Sequence, residues 1–250
     1  MLLPPGRVRL VKRSYLSFVC LLAVVASSPC LLPAQDQNAG GALDKVLKQM
    51  DVTAQNFGSA QADFVWDQFQ QVVNEHDIQK GKIYFRRSGK DTQMMADIGE
   101  HNGQATPKYL LYSGGKVQVY EPKVDRVTAY PPGKNKADVE SFLTLGFGGG
   151  GHDLLRAFEV RYLGTERIEG VDTAKLDLIP KSKSIRGMFD HFVLWVDPAR
   201  GVSLKQQAFE PGTGDYRLTT YSNIQLNQKL PDNIFKLKTT SKTQFVSPQG

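Results

Sequence analysis

The chain has 250 residues, enough for one large domain or two small ones with a sizeable hydrophobic core. Its composition, 40% hydrophobic and 22% charged with 23 Gly and 13 Pro, excludes collagen-like and wholly disordered chains. Four of the 31 basic residues precede residue 35, which leaves 27 against 25 acidic residues in the rest. The net charge of +6 therefore belongs mainly to the N-terminus, and we expect no nucleic-acid partner.

The first 34 residues have the pattern of an export signal. Four cations precede an apolar run from Tyr15 to Ala26, and small residues follow it. The run is short for a membrane-spanning helix, so an uncleaved signal anchor is the less favoured alternative. We predict a signal peptide over 1–34 with cleavage after Ala34, a second candidate site after Ala26, and a mature, soluble domain over 35–250.

The cysteines and histidines give no sign of a metal site. Cys20 and Cys30 both lie in the leader, and neither has the sequence context of a bacterial lipoprotein cleavage site. The mature chain then has no disulfide and no thiol nucleophile. The four histidines lack metal-ligand spacing, and Glu75-His76-Asp77 is assigned to a solvated turn.

No catalytic or phosphate-binding motif is recognisable. The run Gly148–Gly151 is followed by His152-Asp153-Leu154 where a phosphate loop has Lys and Ser or Thr. A flexible hinge is the favoured interpretation of these glycines. The nucleophile-elbow motif Gly-x-Ser-x-Gly is absent from the sequence, and no carboxylate pair is evident. We therefore expect no enzyme activity, no metal and no cofactor.

The mature chain is predicted to begin with a helix and to continue as strands. Leu43, Val46, Leu47 and Met50 have amphipathic helical spacing, which predicts a helix over 42–57. Turn signals then separate short strands, Gly114-Gly115 being a strong hairpin signal. The predicted strands cover 59–74, 79–88, 91–98, 108–113, 116–121, 124–130, 158–169, 171–180, 190–198, 202–210 and 214–226. Two short helices are predicted near 138–145 and over 153–158, the second capped by Asp153.

About eleven strands with short connections predict a single mainly β domain. The expected fold is one curved antiparallel sheet, strongly curved or partly closed, with helices over its hollow. Strand alternation places Ile83, Phe85 and Arg87 on one face, and the strand with Leu194 is apolar on both faces. We expect helices to cover this apolar surface. Any space that the helices leave open, or open by moving away, would accept acyl chains. A fully packed core without a cavity is the alternative.

The order of these elements resembles the LolA-type periplasmic lipoprotein carriers and the wider LolA/LolB-like superfamily. The resemblance covers roughly residues 40–240 and depends on the order and spacing of several motifs after the first helix. They are Phe57-Gly58-Ser59-Ala60-Gln61-Ala62-Asp63-Phe64, Gly81-Lys82-Ile83-Tyr84-Phe85-Arg86-Arg87, Tyr109–Pro122, Ala174–Lys181 and Phe192–Asp197.

The resemblance implies an unclosed half β-barrel whose hollow is covered by helices. It implies that Arg87 matches the inward-facing arginine that latches the lid by hydrogen bonding to the first helix. Together with the apolar faces, it predicts the residues that line a hydrophobic cavity for acyl chains. They are Leu43, Val46, Leu47, Met50, Ile83, Phe85, Phe142, Leu143 and Leu194.

The function that the resemblance implies is carriage of acylated lipoproteins through the periplasm toward the outer membrane. Its expected partners are these lipoproteins, an inner-membrane transporter that releases them and an outer-membrane acceptor. We expect the carrier to be a monomer. The alternative is a sensing or binding module of the same fold that takes a different acylated ligand.

Overall fold

The computed structural model describes residues 35–88, 91–130 and 145–248. The predicted leader, the predicted helix near 138–145 and the predicted lining residues Phe142 and Leu143 lie outside these ranges. In the described part of the chain, three helices and two 3-10 turns accompany the strands. They are α1 (Gln35–Gln55), α2 (Gly151–Ala157), α3 (Lys183–Arg186) and the turns Pro122–Val124 and Asp232–Phe235.

Twelve strands of the described residues form one sheet. In chain order they are β1 (Ser59–Gln70), β2 (Glu75–Ser88), β3 (Asp91–His101), β4 (Gln104–Ser113), β5 (Lys116–Glu121), β6 (Arg126–Tyr130), β7 (Phe158–Ile168), β8 (Val171–Pro180), β9 (His191–Asp197), β10 (Val202–Phe209), β11 (Tyr216–Leu226) and β12 (Gln244–Val246). Their order in the sheet is β12-β6-β5-β4-β3-β2-β1-β11-β10-β9-β8-β7. Neighbours are antiparallel except β12 and β6, which are parallel.

The predicted fold class is confirmed. Among the described residues, the two outermost strands, β12 and β7, do not pair with each other, so the curved sheet is an unclosed half-barrel. The Gly114-Gly115 hairpin is present, with positive φ at both glycines and Ser113 paired with Lys116. This geometry suits the right-handed twist of the strands that it joins.

Three sequence-based expectations differ from the structure. Glu75-His76-Asp77 is not a turn: it begins β2, and His76 contacts Asp67 of β1 across the strand pair. Helix α1 begins at Gln35 rather than at residue 42. Asp153 lies inside the first turn of α2, where its carboxylate accepts a hydrogen bond from the Gly150 N–H at 3.3 Å.

The inner face of the sheet, the one that α1 covers, carries two apolar clusters. The helix-side cluster comprises Val46, Leu47, Met50, Leu145, Leu154, Phe158, Ala174, Leu176, Leu178, Ile185, Phe192, Leu194, Val196 and Ala208. The sheet-centre cluster comprises Phe57, Ala60, Ala62, Phe64, Ile83, Phe85, Met94, Ala96, Ile98, Tyr112, Phe147, Val202 and Tyr221.

On the outer face, the segment after β11 packs back against the sheet. Leu230 and Phe235 join Met95 and Leu111 in a third cluster. Strand alternation explains the division between faces, because Met94 belongs to the sheet-centre cluster and its neighbour Met95 to the outer one.

Candidate functional site

Helix α1 is attached to one side of the half-barrel. It packs mainly against α2 and β7, and its apolar residues Val46, Leu47 and Met50 enter the helix-side cluster. Burial of side chains of this size stabilises the packed form by about 1.5–3 kcal/mol each. The helix therefore covers apolar surface on the sheet that would otherwise face water.

The sheet-centre cluster includes an aromatic residue from outside the strands. Phe147 comes from the turn before α2, stacks on Phe85 with ring centres 5.0 Å apart and meets Tyr221 edge-on at 4.9 Å. Burial raises the pKa of the Tyr221 phenol. The sequence analysis missed Phe147, although an aromatic between Gly146 and Gly148 was a signal that could have pointed to it.

Arg87 joins β2 to α1. Its guanidinium donates hydrogen bonds to the carbonyl of Ala54 at 2.7 Å and to that of Gly148 at 2.9 Å, and it lies 5.6 Å from the ring centre of Phe57. The Ala54 carbonyl belongs to the last turn of α1, where helix carbonyls lack intrahelical partners. Arg87 therefore contacts the first helix, and its predicted role as a latch remains a prediction.

A second polar contact joins α1 to α2. One oxygen of the Asp51 carboxylate accepts the His152 N–H at 3.1 Å, and the other pairs with the His152 ring at 2.5 Å. The two helices are very close here: a Cβ on Gly151 would lie 2.3 Å from the Leu47 carbonyl oxygen. A Cβ on Gly148 would lie 2.5 Å from the Phe57 ring. Close approach therefore explains these glycines, and the hinge that we predicted for them is not needed.

The predicted lining residues fall into the two inner clusters rather than one cavity. Val46, Leu47, Met50 and Leu194 belong to the helix-side cluster, with Leu43 packed at its edge. Ile83 and Phe85 belong to the sheet-centre cluster. Except for Leu43, these side chains are at most 7% exposed, so they are packed against other side chains in this form of the protein.

A cleft of about 680 Å³ continues the inner face beyond the sheet-centre cluster. Trp66, Ile98 and Leu110 form its apolar end, and all three also contact that cluster or belong to it. The other lining residues are mostly polar. They are Gln68, Gln70, Asp77, Gln79, Lys108, Val119, Glu121, Arg126, Thr128, Tyr130, Glu210, Asp215 and Arg217.

The charged groups of this cleft are partly neutralised by each other. Arg126 pairs with Glu121 at 3.1 Å. The Arg217 guanidinium donates a hydrogen bond to the side-chain oxygen Oε1 of Gln68 at 3.0 Å, and the side-chain nitrogen Nε2 of Gln68 donates to Glu210 at 3.1 Å. Loss of solvent around the Arg217 guanidinium lowers its pKa, although part of the side chain stays exposed.

The described residues also bear on metal binding and membrane insertion. They contain no group of three or more His, Cys, Asp or Glu side chains placed to hold a metal ion. Within the same residues, every helix is too short or too polar to cross a membrane.

No family model and no curated protein matches the chain. Solved structures do match. An uncharacterized conserved protein from Thermus thermophilus is 12% identical, over 85% of this chain and 100% of that one, with a TM-score of 0.51. A LolA superfamily protein from Nitrosomonas europaea is 15% identical over 78% and 97%, with a TM-score of 0.40. The lipoprotein LppX from Mycobacterium tuberculosis is 15% identical over 76% and 98%, with a TM-score of 0.44.

At these identities the likeness concerns the fold alone. The unclosed half-barrel with a helix on its inner face is the architecture that the sequence resemblance implied. The half β-barrel that we expected from the resemblance is therefore confirmed.

Proposed function

We propose that this protein is a periplasmic carrier that binds the acyl chains of lipoproteins and moves them toward the outer membrane. The observation that supports the proposal most is the position of α1, which covers the inner apolar face and is attached at one side. Among the described residues, the exposed polar contacts that join it to the rest of the protein, which we call the rim contacts, include Arg87 to Ala54 and Asp51 to His152. Separation of α1 from the sheet would expose the helix-side cluster to a ligand.

The energies are compatible with such an opening. A chain of a dozen methylenes gains about 10 kcal/mol on leaving water, at about 0.8 kcal/mol per methylene. Breaking the rim contacts costs at most about 1.5–3 kcal/mol for each hydrogen bond to a charged group. The bound chain would also replace the packing that α1 loses, so binding offsets the cost of opening.

Release is the second requirement of a carrier. The closed form has its own stabilising contacts, Val46, Leu47 and Met50 in the helix-side cluster and Arg87 at the rim. Closing of the lid therefore lowers the affinity for the cargo below that of a permanently open hollow. This allows transfer to an acceptor without any covalent step or cofactor.

The proposal includes export by the leader over 1–34 and action as a monomer without enzyme activity. An inner-membrane transporter would deliver the lipoproteins, and an outer-membrane acceptor would receive them. A sensing module that binds another acylated ligand on the same face is the second candidate, and the identity of the ligand distinguishes the two.

The test is native mass spectrometry of the protein purified from its own cell envelope. We expect a mature chain that begins at Gln35 and carries an acylated ligand, and we expect binding of a fluorescent fatty acid that a chelator does not affect. A bound lipoprotein supports the carrier, and a free lipid supports the sensing module. Retention of residues 1–34, or failure to bind any acyl probe, would contradict the proposal.

A further inference from the structure

The polar cleft at the end of the inner face has the character of a separate binding site. We propose that it binds a neutral sugar, either the headgroup of a lipid or a free glycan. If the sugar is a lipid headgroup, the inference rests on the proposed function, because an acyl chain in the sheet-centre cluster would place its headgroup in the cleft. If the sugar is a free glycan, the inference stands apart from that function.

The amide side chains in the cleft match the hydrogen-bonding groups of a sugar. Gln68, Gln70 and Gln79 lie along β1 and β2, and each amide both donates and accepts hydrogen bonds. Within the described part of the chain, the side-chain amides of Gln70 and Gln79 have no hydrogen-bond partner. Sugar hydroxyls also donate and accept, so these two amides can bond them without breaking an existing contact.

An aromatic ring provides the apolar part of the site. Trp66 is half-buried at the junction of the cleft and the sheet-centre cluster, with the Phe64 ring 4.6 Å away. A broad indole surface suits the C–H face of a pyranose ring. Trp66, Ile98 and Leu110 also connect the cleft to apolar surface where a lipid tail would lie.

The charges favour a neutral ligand. The cleft has four carboxylates and three cations among its lining residues. A phosphate or sulfate would approach Lys108 and Arg217, but it would also face Asp77, Glu210 and Asp215. A quaternary amine would in turn be repelled by the cations Lys108, Arg126 and Arg217. A neutral polyhydroxylated ring avoids both costs.

The protein's two tryptophans allow a direct test by NMR. The indole N–H of Trp66 reports on the cleft. Trp195 is buried between Lys175 and Lys205 on the outer face and serves as the internal control. The probes are methyl and octyl glycosides of glucose, galactose and N-acetylglucosamine, with octyl phosphate and octyltrimethylammonium as chain-matched controls.

We expect at least one glycoside to shift the Trp66 signal saturably and to leave Trp195 unchanged. If methyl and octyl glycosides both shift the signal, a free glycan is sufficient for binding. If only the octyl glycosides shift it, the ligand is the headgroup of a lipid. Absence of any glycoside effect, an equal effect of octyl phosphate, or equal movement of Trp195 would overturn the proposal. Binding of the octyl chain without headgroup preference would overturn this site and leave the acyl carrier intact.

Variants provide a matched check. Gln79→Leu and Gln70→Leu should each weaken glycoside binding roughly three- to tenfold, as expected for loss of one hydrogen bond. Gln61→Leu is the control, because Gln61 lies on the outer face of β1 and pairs with Gln225 at 2.8 Å. Equal affinities for all three variants would show that the cleft is not the site.

Discussion

Two adjacent arginines on β2 make contacts on opposite faces of the sheet. Arg87 points to the inner face and binds the carbonyls of Ala54 and Gly148. Arg86 points to the outer face, where it pairs with Asp232 at 2.5 Å and lies 4.4 Å from the ring centre of Phe235. One arginine thus connects the sheet to the helix over the hollow, and the other connects it to the C-terminal segment.

Replacement of Arg87 tests whether it is a latch. If Arg87 is a latch, Arg87→Leu removes hydrogen bonds that stabilise the closed form, so a fatty-acid probe should bind up to ~10-fold more tightly. Transfer of the probe to acceptor vesicles should slow, because closing no longer helps to expel it. Affinity and transfer are measured by fluorescence for this variant and for Arg86→Leu.

The alternative role of Arg87 is that of a C-terminal cap of α1. A cap stabilises the helix end by interaction with its free carbonyls and is not specific to the closed form. In that case Arg87→Leu would lower the melting temperature without a change in probe affinity. Equal and small effects of Arg86→Leu and Arg87→Leu on affinity and transfer would contradict the latch.

At the scale of elements, the edge strand β6 is covered by the chain's own tail. Strand β12 pairs with it in parallel, and Asp125 holds the tail in place. The Asp125 carboxylate accepts hydrogen bonds from Thr240 at 2.6 Å and Thr243 at 2.5 Å, and its backbone carbonyl accepts the Gln244 N–H at 2.9 Å. The tail thereby covers an edge whose free N–H and C=O groups could pair with another chain.

The tail should detach in acid. Hydrogen bonds from Thr240 and then Thr243 lower the pKa of Asp125 below its ordinary value of 3.8. A lowered folded-state pKa stabilises the attached form above pH 3.8, and this contribution is lost as the pH falls through the lowered pKa. The Val246 methyl signals in NMR spectra should therefore move toward unfolded values at the acid end of a titration.

Asp125→Asn should show the detached signals already at neutral pH, since it removes the charge and one acceptor oxygen while asparagine still tolerates the positive φ of this position. Asp172→Asn is the control, because Asp172 pairs with Arg167 in an exposed hairpin far along the chain. Val246 signals that are identical in Asp125→Asn and the parent protein would contradict this role of Asp125.

The sequence patterns predicted eleven of the twelve strands in the described part of the chain, and the reasons for the exception are physical. Strand β12 has three exposed residues and pairs through Asp125, more than a hundred positions earlier, so no local pattern marks it. The contacts of Arg87 were expected from strand alternation together with the family resemblance. The mixed polar cleft was not expected, because its side chains come from strands that are distant in sequence and no local motif unites them.

At the scale of the whole molecule, the proposed function requires α1 to move relative to the sheet. Its apolar face belongs to the helix-side cluster, whereas the sheet-centre cluster is made mostly of residues from the strands. Among the described residues, its polar links to the rest of the protein include the contacts of Arg87 and Asp51. The sheet itself is continuous from β12 to β7 and should keep its shape.

Spin-label distances provide the test of this motion. Both cysteines lie at positions 20 and 30, so a chain expressed from Gln35 has none and two can be introduced without background labelling. Lys48 on α1 and Lys80 on β2 are exposed, which makes Lys48→Cys with Lys80→Cys a suitable pair. Addition of a fatty acid should shift this distance to longer values, because α1 side chains occupy the helix-side cluster and the chain can enter that cluster only after α1 moves.

The control pair is Lys80→Cys with Arg167→Cys, both exposed and both on the sheet. Its distance should stay constant, since the strands between them remain hydrogen-bonded when the helix moves. The Arg87→Leu variant should show part of the longer distance before any ligand is added, because its closed form has lost the rim bonds. If fatty acid binds while the Lys48–Lys80 label distance stays fixed, the chain enters by a route that does not involve α1, and the lid mechanism is wrong.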